Sequence, residues 1–264
     1  MIKDLVEHWQ LFLLIFFRII AMIEVAPLLS STAIPQVAKV GLSFFTASAV
    51  YPWVAKMGYP IPPGAMDWFL LMLGEVLVGL LIGFLLLLVF SAFQMAGQFF
   101  SLQMGFGASE VYDPLAQVEI PLIGEYLNLI AMFVFLSSDT AGFQKFFLSG
   151  VASSFEHLRA VDLVIHRDDL VRILIGGLAG LFESSLTISL PILGTLLLIS
   201  IGTGLMSKAS PQMDVLTMGF PISIAVSFLL LFASMPALMT AFSRVIDAGF
   251  ESIGTLVVGL GGVK

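Results

Sequence analysis

The sequence predicts an all-α polytopic membrane protein. Of its 264 residues, 59% are hydrophobic and only 11% are charged, and the mean hydropathy is +1.06. A soluble domain carries about 25% charged residues. Here the charges cluster and leave apolar runs longer than a core strand or core helix needs. Runs of that length are typical of membrane spans.

Roughly six apolar segments follow one another along the chain, and each span needs about 20 residues to cross about 30 Å of hydrocarbon. They cover residues 11–29, 37–54, 68–100, 122–150, 171–206 and 221–243. The third and fifth are over-long, because a straight helix over 68–100 would measure about 50 Å. We therefore expect steep tilt, a kink (at Pro191 in the fifth), a helical hairpin, or a helix that leaves the bilayer.

Prolines and charges separate these segments. Pro27 and Pro35 interrupt the first apolar segment, and Pro52 is predicted to end the second. The stretch "YPIPPGAMD" that follows is predicted to form a stiff turn before the third segment. The charged stretch 155–172 is predicted to be a surface helix or loop.

Composition and motifs argue against several functions. The net charge of −7 and the lack of a basic patch argue against nucleic-acid binding. The absence of cysteine excludes disulfides and thiolate metal sites. The sequence has no zinc-protease, nucleophile-elbow or P-loop motif. We therefore predict no enzyme activity, no metal and no cofactor.

Four charged residues fall within apolar sequence: Arg18, Glu24, Glu75 and Glu183. An ionised group in hydrocarbon costs several kcal/mol, so each side chain must face protein or water. Arg18 and Glu24 are about 120° apart around a helix and do not face each other. We expect partners for these residues on other helices or, for at least some, in other subunits. They serve either as an ion relay or as polar contacts between helices, and the second is favoured because no relay lines up along one helix.

Glycines accompany two of these acids. Gly79 and Gly83 share a helix face with Glu75, and this small-xxx-small spacing is typical of helix–helix contact, which we expect to join subunits. Gly176 and Gly180 repeat the pattern near Glu183.

The segment between the third and fourth apolar runs differs from both. Gly105 and Gly107 permit sharp turns, whereas Pro114 and Pro121 oppose a helix. Irregular backbone at membrane depth is tolerated only where it is buried in protein or lines a water-filled cavity. The segment suits a compact stopper, and the alternative is an ordinary exposed loop.

Two stretches resemble the signatures of the FliR family of flagellar type III export-gate proteins. The stretch "AGQFFSLQMGFGASEVYDP" at 96–114 is similar to the first signature, and "LMSKASPQMDVLTMGFPI" at 205–222 to the second. The arginine and proline pattern from Arg18 to Pro52 is similar as well. Two residues depart from the family pattern: Asp214 stands in place of asparagine, and Phe143 in place of histidine.

The resemblance implies a core subunit of the flagellar export gate in the bacterial inner membrane, at the flagellar basal body. It implies a FliP-like part, 1–170, and a FliQ-like hairpin part with a tail, 171–264. It also implies a pore for unfolded flagellar proteins, formed with FliP-like and FliQ-like subunits and contacted by a FlhB-like subunit.

The resemblance further implies a plug loop at 105–121 and a hairpin turn at 207–214. The plug residues are Gly105, Phe106, Gly107, Glu110, Asp113 and Pro114, and the turn residues are Ser210, Pro211, Gln212 and Asp214. Two alternatives stay open: a secondary transporter that uses Glu75 and Glu183, and a scaffold that organises the partner ring without contacting cargo.

Overall fold

A computed structural model describes residues 2–104, 122–137, 142–161, 167–209 and 215–260. Within these ranges every regular element is a helix, which confirms the predicted fold class. The first four are α1 (Ile2–Val25), α2 (Gln36–Lys56), α3 (Ala65–Met104) and α4 (Leu122–Leu136). Then follow α5 (Gly142–Lys145), a π-helical segment (Phe146–Ala152), α6 (Ser153–His157), α7 (Arg167–Ala209) and α8 (Val215–Leu260).

Four of the described helices are long and apolar enough to cross a membrane. Their apolar parts are His8–Val25, Ala65–Met104, Asp168–Leu205 and Pro221–Thr255. The Leu122–Leu136 helix is apolar but shorter. The two over-long sequence segments are each a single helix, of 40 residues in α3 and 43 in α7, so neither folds into a hairpin. Pro191 lies inside α7 without ending it.

The expected continuous span over 122–150 is wrong, because α4 already ends at Leu136 and the next described helix, α5, begins at Gly142. Ser137 donates its backbone N–H and, at 2.6 Å, its hydroxyl to the Val134 carbonyl. A serine that bonds locally in this way competes with the next helical turn. After α5 the chain continues in π-helical turns over Phe146–Ala152, which hydropathy does not predict.

Two other boundaries also differ from the expectation. α2 continues through Pro52 and stops before Gly58, whose φ of +67° is the left-handed conformation that commonly ends a helix. The expected single connection over 155–172 is divided, since α6 ends at His157 and α7 already begins at Arg167.

The chain divides into two compact units. Unit 1 comprises Met1–Val89, Ala141–Leu178 and Asp247–Lys264, and unit 2 comprises Phe90–Thr140 and Ala179–Ile246. α3, α7 and α8 each contribute to both units. These two units are defined by how the helices pack. The predicted boundary at residue 170, between the FliP-like and the FliQ-like part, rests on the family resemblance and stays a prediction.

Unit 1 is organised around α1. Its fully buried positions include Ile15, Ile19 and Met22, which recur at helical spacing and form a face against neighbouring helices. α3 approaches this helix closely at Gly83, where an added Cβ would lie 2.9 Å from the Met22 carbonyl oxygen. Gly79 lies directly against the Arg18 carbonyl in the same way. These glycines therefore form a helix contact with α1 of the same chain, and the expected inter-subunit role of this face stays a prediction.

In unit 2 aromatic rings connect the helices. Phe93 of α3 and Phe242 of α8 are fully buried, and their ring centroids are 4.6 Å apart. Phe90 meets Phe135 of α4 edge to face at 5.4 Å. Such pairs add roughly 0.5–1.5 kcal/mol beyond the burial of their area.

We predict that Gly79→Leu destabilises the chain itself, before any subunit associates. The new side chain has no room beside the α1 backbone, and overpacking of this kind costs roughly 1–3 kcal/mol. Thermal unfolding of the purified chain in detergent measures the effect. Gly41→Leu is the matched control in α2, because nothing lies within 4 Å of a Cβ at Gly41. Equal unfolding temperatures for the two variants would contradict the α1–α3 contact.

Candidate functional site

Arg18, in the C-terminal third of α1, is the centre of a buried charge cluster. Only 1% of the residue is exposed. Its Nε donates to Glu75 Oε2 at 2.6 Å, and its Nη2 lies 2.5 Å from the same oxygen. Glu75 belongs to α3 and is itself fully buried. The pair therefore joins two membrane-capable helices through a charge-assisted contact that excludes solvent.

The remaining donors of Arg18 bind the end of α6. Nη1 donates to the Ser154 carbonyl at 2.8 Å, and Nη2 donates to the Leu158 carbonyl at 2.9 Å. Carbonyls near the C-terminus of a helix carry partial negative charge, so a cation stabilises them. The guanidinium carbon also lies 4.1 Å from the centre of the Phe155 ring, in cation–π geometry. Arg18 thus fixes α6 against α1.

Tyr59 completes the cluster. It lies in the turn between α2 and α3, and its hydroxyl donates to Glu75 Oε1. Burial raises the pKa of Tyr59 above its ordinary value of 10.0, and the neighbouring Glu75 charge raises it further. The phenol therefore stays neutral and remains a donor. Both oxygens of Glu75 are engaged, one by Arg18 and one by Tyr59.

This cluster holds four parts of unit 1 together: α1, the turn before α3, α3 itself and the end of α6. Burying two charges has a large desolvation cost, which only good geometry and further hydrogen bonds offset. Here the fork of Arg18 is matched by a carboxylate and two carbonyls. Removing one member leaves the other charge buried and unpaired, which costs about 3–5 kcal/mol.

The local sequence explains how the helices reach these positions. Glu75 and Gly79 are four residues apart on one face of α3. Because Gly79 carries no Cβ, α3 lies against the α1 backbone at Arg18, and the carboxylate is then within reach of the guanidinium. Gly74 likewise allows a close approach, here between α3 and Ala160, because a Cβ at Gly74 would lie 2.5 Å from the Cβ of Ala160.

A second ion pair connects the end of α1 with the start of α2. Lys39 Nζ lies 3.2 Å from Glu24 Oε2 and donates to the Ser30 carbonyl at 3.2 Å. Lys39 is 4% exposed, whereas the Glu24 side chain is 36% exposed. The lysine is thus the more protected partner of the pair.

The four intramembrane charges differ in whether the chain itself supplies a partner. Arg18, Glu24 and Glu75 have partners on other helices of the same chain, which was one of the two expected arrangements. Glu183 differs, because it lies exposed on α7. Over the part of the chain that the structure describes, no partner of the Glu183 carboxylate is found.

Several predicted site residues lie outside the described ranges. The six plug residues and the four turn residues belong to this group, and the side chain of Phe143 is not described either. Sequence reasoning missed Tyr59, Lys39 and the carbonyls that Arg18 binds. Lys39 carried a detectable signal, as a lone base near Glu24, whereas carbonyl partners have no signature in a sequence.

The fold and the cluster define a polytopic α-helical membrane protein whose helices are joined by ion pairs within the chain. The described residues contain no group of three or more His, Asp or Glu suited to a metal ion. A profile of the family "Bacterial export proteins, family 1" matches residues 9–249. The chain belongs to this family, that of the FliR proteins, and is a membrane component of flagellar export.

Individual relatives match over most of their length. Flagellar biosynthetic protein FliR of Bacillus subtilis (strain 168) is 28% identical over 98% of this chain and 99% of its own. The protein of the same name from Borreliella burgdorferi is 32% identical over 76% of this chain and 74% of its own. The Escherichia coli (strain K12) protein is 26% identical and covers 95% of each chain.

We predict that Arg18→Ala lowers the free energy of unfolding by about 3–5 kcal/mol, because Glu75 is left buried without its partner. Thermal unfolding in detergent and the amount of chain in the membrane both measure this. Lys145→Ala is the control: it breaks an ion pair with Asp247 whose side chains are 38% and 48% exposed, and such a pair is worth about 1 kcal/mol or less.

The double variant Arg18→Met/Glu75→Leu removes both charges and is expected to recover part of the loss, since two apolar side chains replace a buried pair at little cost. If Arg18→Ala unfolds at the same temperature as the unchanged chain, the cluster does not stabilise unit 1.

Proposed function

We propose that this chain is a core subunit of the flagellar type III protein export gate in the bacterial inner membrane, at the flagellar basal body. With FliP-like and FliQ-like subunits it forms a pore for unfolded flagellar proteins, residues 105–121 act as the plug, and a FlhB-like subunit is a further partner. The observation that carries the proposal is the exposed, partly charged surface of α7, together with family membership over residues 9–249.

The surface of the last two long helices supports assembly with other membrane subunits. Only 22% of the membrane-capable part of α7 and 17% of that of α8 are buried within the chain, against 56% of α3. Apolar residues along them are therefore free to meet lipid or protein. Hydropathy alone does not distinguish these two surroundings.

A row of small and polar residues on α7 favours protein. Gly176, Gly180, Glu183, Thr187 and Gly194 recur at spacings that place them on one side of the helix. Cβ atoms added at the three glycines would have nothing within 4 Å. Small residues of this kind allow a neighbouring backbone to approach, and an exposed carboxylate at membrane depth needs a polar partner. A partner helix with a basic or hydroxyl side chain would pack closely against these glycines and would also pair with the Glu183 carboxylate.

The plug assignment rests on the sequence and on the helices that flank it. The segment 105–121 combines glycines and prolines with acids and has no base. It connects Met104, the fully buried last residue of α3, to the start of α4. A polar segment between two apolar helices fits a wet conduit, because irregular backbone at membrane depth is tolerated only where it is buried in protein or lines a water-filled cavity.

The transporter alternative is weaker, because Glu75 is engaged at both oxygens and is fully buried. A carboxylate that carries protons or ions across the membrane needs access to water during its cycle. The scaffold alternative differs from the gate only in cargo contact, and deletion within the plug segment separates the two.

We predict that Glu183→Gln and Gly180→Leu lower the recovery of a complex with FliP-like and FliQ-like subunits, while the chain alone accumulates normally. Both changes affect a face that the chain itself leaves uncovered. Co-expression followed by affinity purification and native gel analysis measures recovery. Glu251→Gln, at another exposed acid, is the control. If the α7 face meets lipid instead, removing the charge is expected to raise the amount of chain in the membrane and leave the complex unchanged.

We further predict that deleting residues 108–113 makes the assembled gate leak small ions while assembly persists. Four of the six deleted residues, Ala108, Ser109, Glu110 and Asp113, are small or acidic and contribute little apolar burial, so the deletion is expected to remove a steric barrier more than packing energy. Growth under salt stress and single-channel conductance of the purified complex measure the leak. Intact assembly without a leak would assign the segment to an ordinary surface loop and favour the scaffold. Failed assembly would show that the segment is required for packing and would end the plug assignment.

A further inference from the structure

Arg244 is an exposed base on α8, inside the part of that helix that is apolar and long enough to cross a membrane, Pro221–Thr255. Phe232, Pro236 and Thr240 precede it at intervals of four residues and are exposed as well. The guanidinium therefore stands at the end of a largely apolar stripe along one side of the helix. A charge at such a position costs several kcal/mol in hydrocarbon, so Arg244 needs an acceptor.

The chain itself supplies no acceptor for Arg244 among the residues that the structure describes. Asp247 is the next acid along α8, but its carboxylate binds Lys145 Nζ at 2.6 Å. Arg244 therefore differs from Arg18, whose donors bind a carboxylate and two carbonyls inside the chain.

Glu183 on α7 is a counterpart of opposite charge. At about 1.5 Å per residue, it lies roughly 39 Å before the end of α7 at Ala209. Arg244 lies roughly 44 Å beyond the start of α8 at Val215. Helices joined by a connection as short as 210–214 are expected to run antiparallel, which places the two charges within about one helical turn of the same level. Both side chains are exposed, and over the described ranges no ion pair joins them, so each needs a separate neighbour.

Opposite charges at one level limit what can surround these two helices. A lipid phosphate accepts a hydrogen bond from Arg244, but it repels the carboxylate of Glu183 at the same depth. A protein neighbour carries side chains of either sign. Polar contacts of this kind are what join helices in a membrane, where apolar surface alone gives them little reason to associate.

We infer that Arg244 is a second contact site for a partner subunit, at which a carboxylate on a helix of that subunit pairs with the guanidinium. The inference rests on the proposed function, because the partner is another membrane subunit of the export gate. The α7 face around Glu183 binds a base, and the α8 face around Arg244 binds an acid. Two charged faces of opposite sign fit different surfaces, so they determine which neighbour packs on which side of this chain.

Zero-length cross-linking tests the contact. The variant Arg244→Lys keeps the positive charge and introduces an amine, which a membrane-permeant carbodiimide joins to a carboxylate in direct contact with it. The variant is co-expressed with FliP-like and FliQ-like subunits, and the purified complex is treated and separated on a denaturing gel. The expected result is a covalent product of this chain and a partner subunit, in which mass spectrometry finds position 244 joined to an acid of the partner.

The unchanged chain in the same complex is the matched control, because an arginine side chain does not form this link. Its own pair of Lys145 and Asp247 gives only an internal link, and any product common to both chains is set aside. An intact complex without a link at position 244 would overturn the inference and place Arg244 against lipid headgroups. A link between two copies of this chain would also overturn it, in favour of self-association. If the unchanged chain forms no complex with these subunits, the proposed function itself fails.

Charge reversal provides a second test, which decides the question should Arg244→Lys fail to assemble. Arg244→Glu is expected to lower recovery of the complex about tenfold or more, because like charges that meet at an interface cost several kcal/mol. The chain expressed alone is expected to accumulate normally. Lys56→Glu reverses another exposed base, in the last turn of α2, and is expected to leave recovery unchanged. Full recovery of the Arg244→Glu complex, or loss of that chain even without partners, would overturn the inference.

Discussion

The arrangement of unit 1 depends on satisfying the charge of Arg18 inside an apolar helix. A guanidinium has five N–H donors and cannot lose its proton, so it must be surrounded by acceptors wherever it is buried. In this chain one carboxylate and two carbonyls supply them, from α3 and from the end of α6. Because those acceptors lie far apart in sequence, satisfying one side chain fixes the positions of several segments at once.

Glycine makes that arrangement possible. Helices in a membrane gain little from the hydrophobic effect when they associate, so close backbone packing and polar contacts hold them together. Gly79 brings α3 against α1 in unit 1, and Gly97 brings the end of α3 against α4 in unit 2. In both places a polar pair lies within four residues of the glycine, Glu75 with Arg18 and Gln94 with Glu125. The short interhelical distance lets side chains of ordinary length make direct hydrogen bonds.

The sequence predicted the fold class and the polar positions, but not their partners. A charge within an apolar run such as Arg18 signals a buried polar contact, yet its acceptors at Ser154 and Leu158 are backbone atoms and leave no trace in residue type. Hydropathy likewise predicted a span over 122–150, because it averages over residues and does not register the local hydrogen bonds of Ser137 that end α4. Glycine spacing at Gly79 and Gly83 correctly indicated a helix contact and said nothing about which chain supplies the other helix.

Arg18 contributes to the folding of the chain, whereas we propose that Glu183 contributes to its assembly with other subunits. Arg18 is 1% exposed and fully bonded inside the chain, whereas Glu183 is exposed on a helix face with open space beside its glycines. The first charge is satisfied when the chain folds, whereas we propose that a partner subunit supplies the group that pairs with the second. Any subunit that pairs with Glu183 binds the folded chain and not the unfolded one, so its binding free energy adds to the stability of the fold. In the proposed gate, the exposed face of α7 thereby makes the stability of this subunit depend on the presence of its partners.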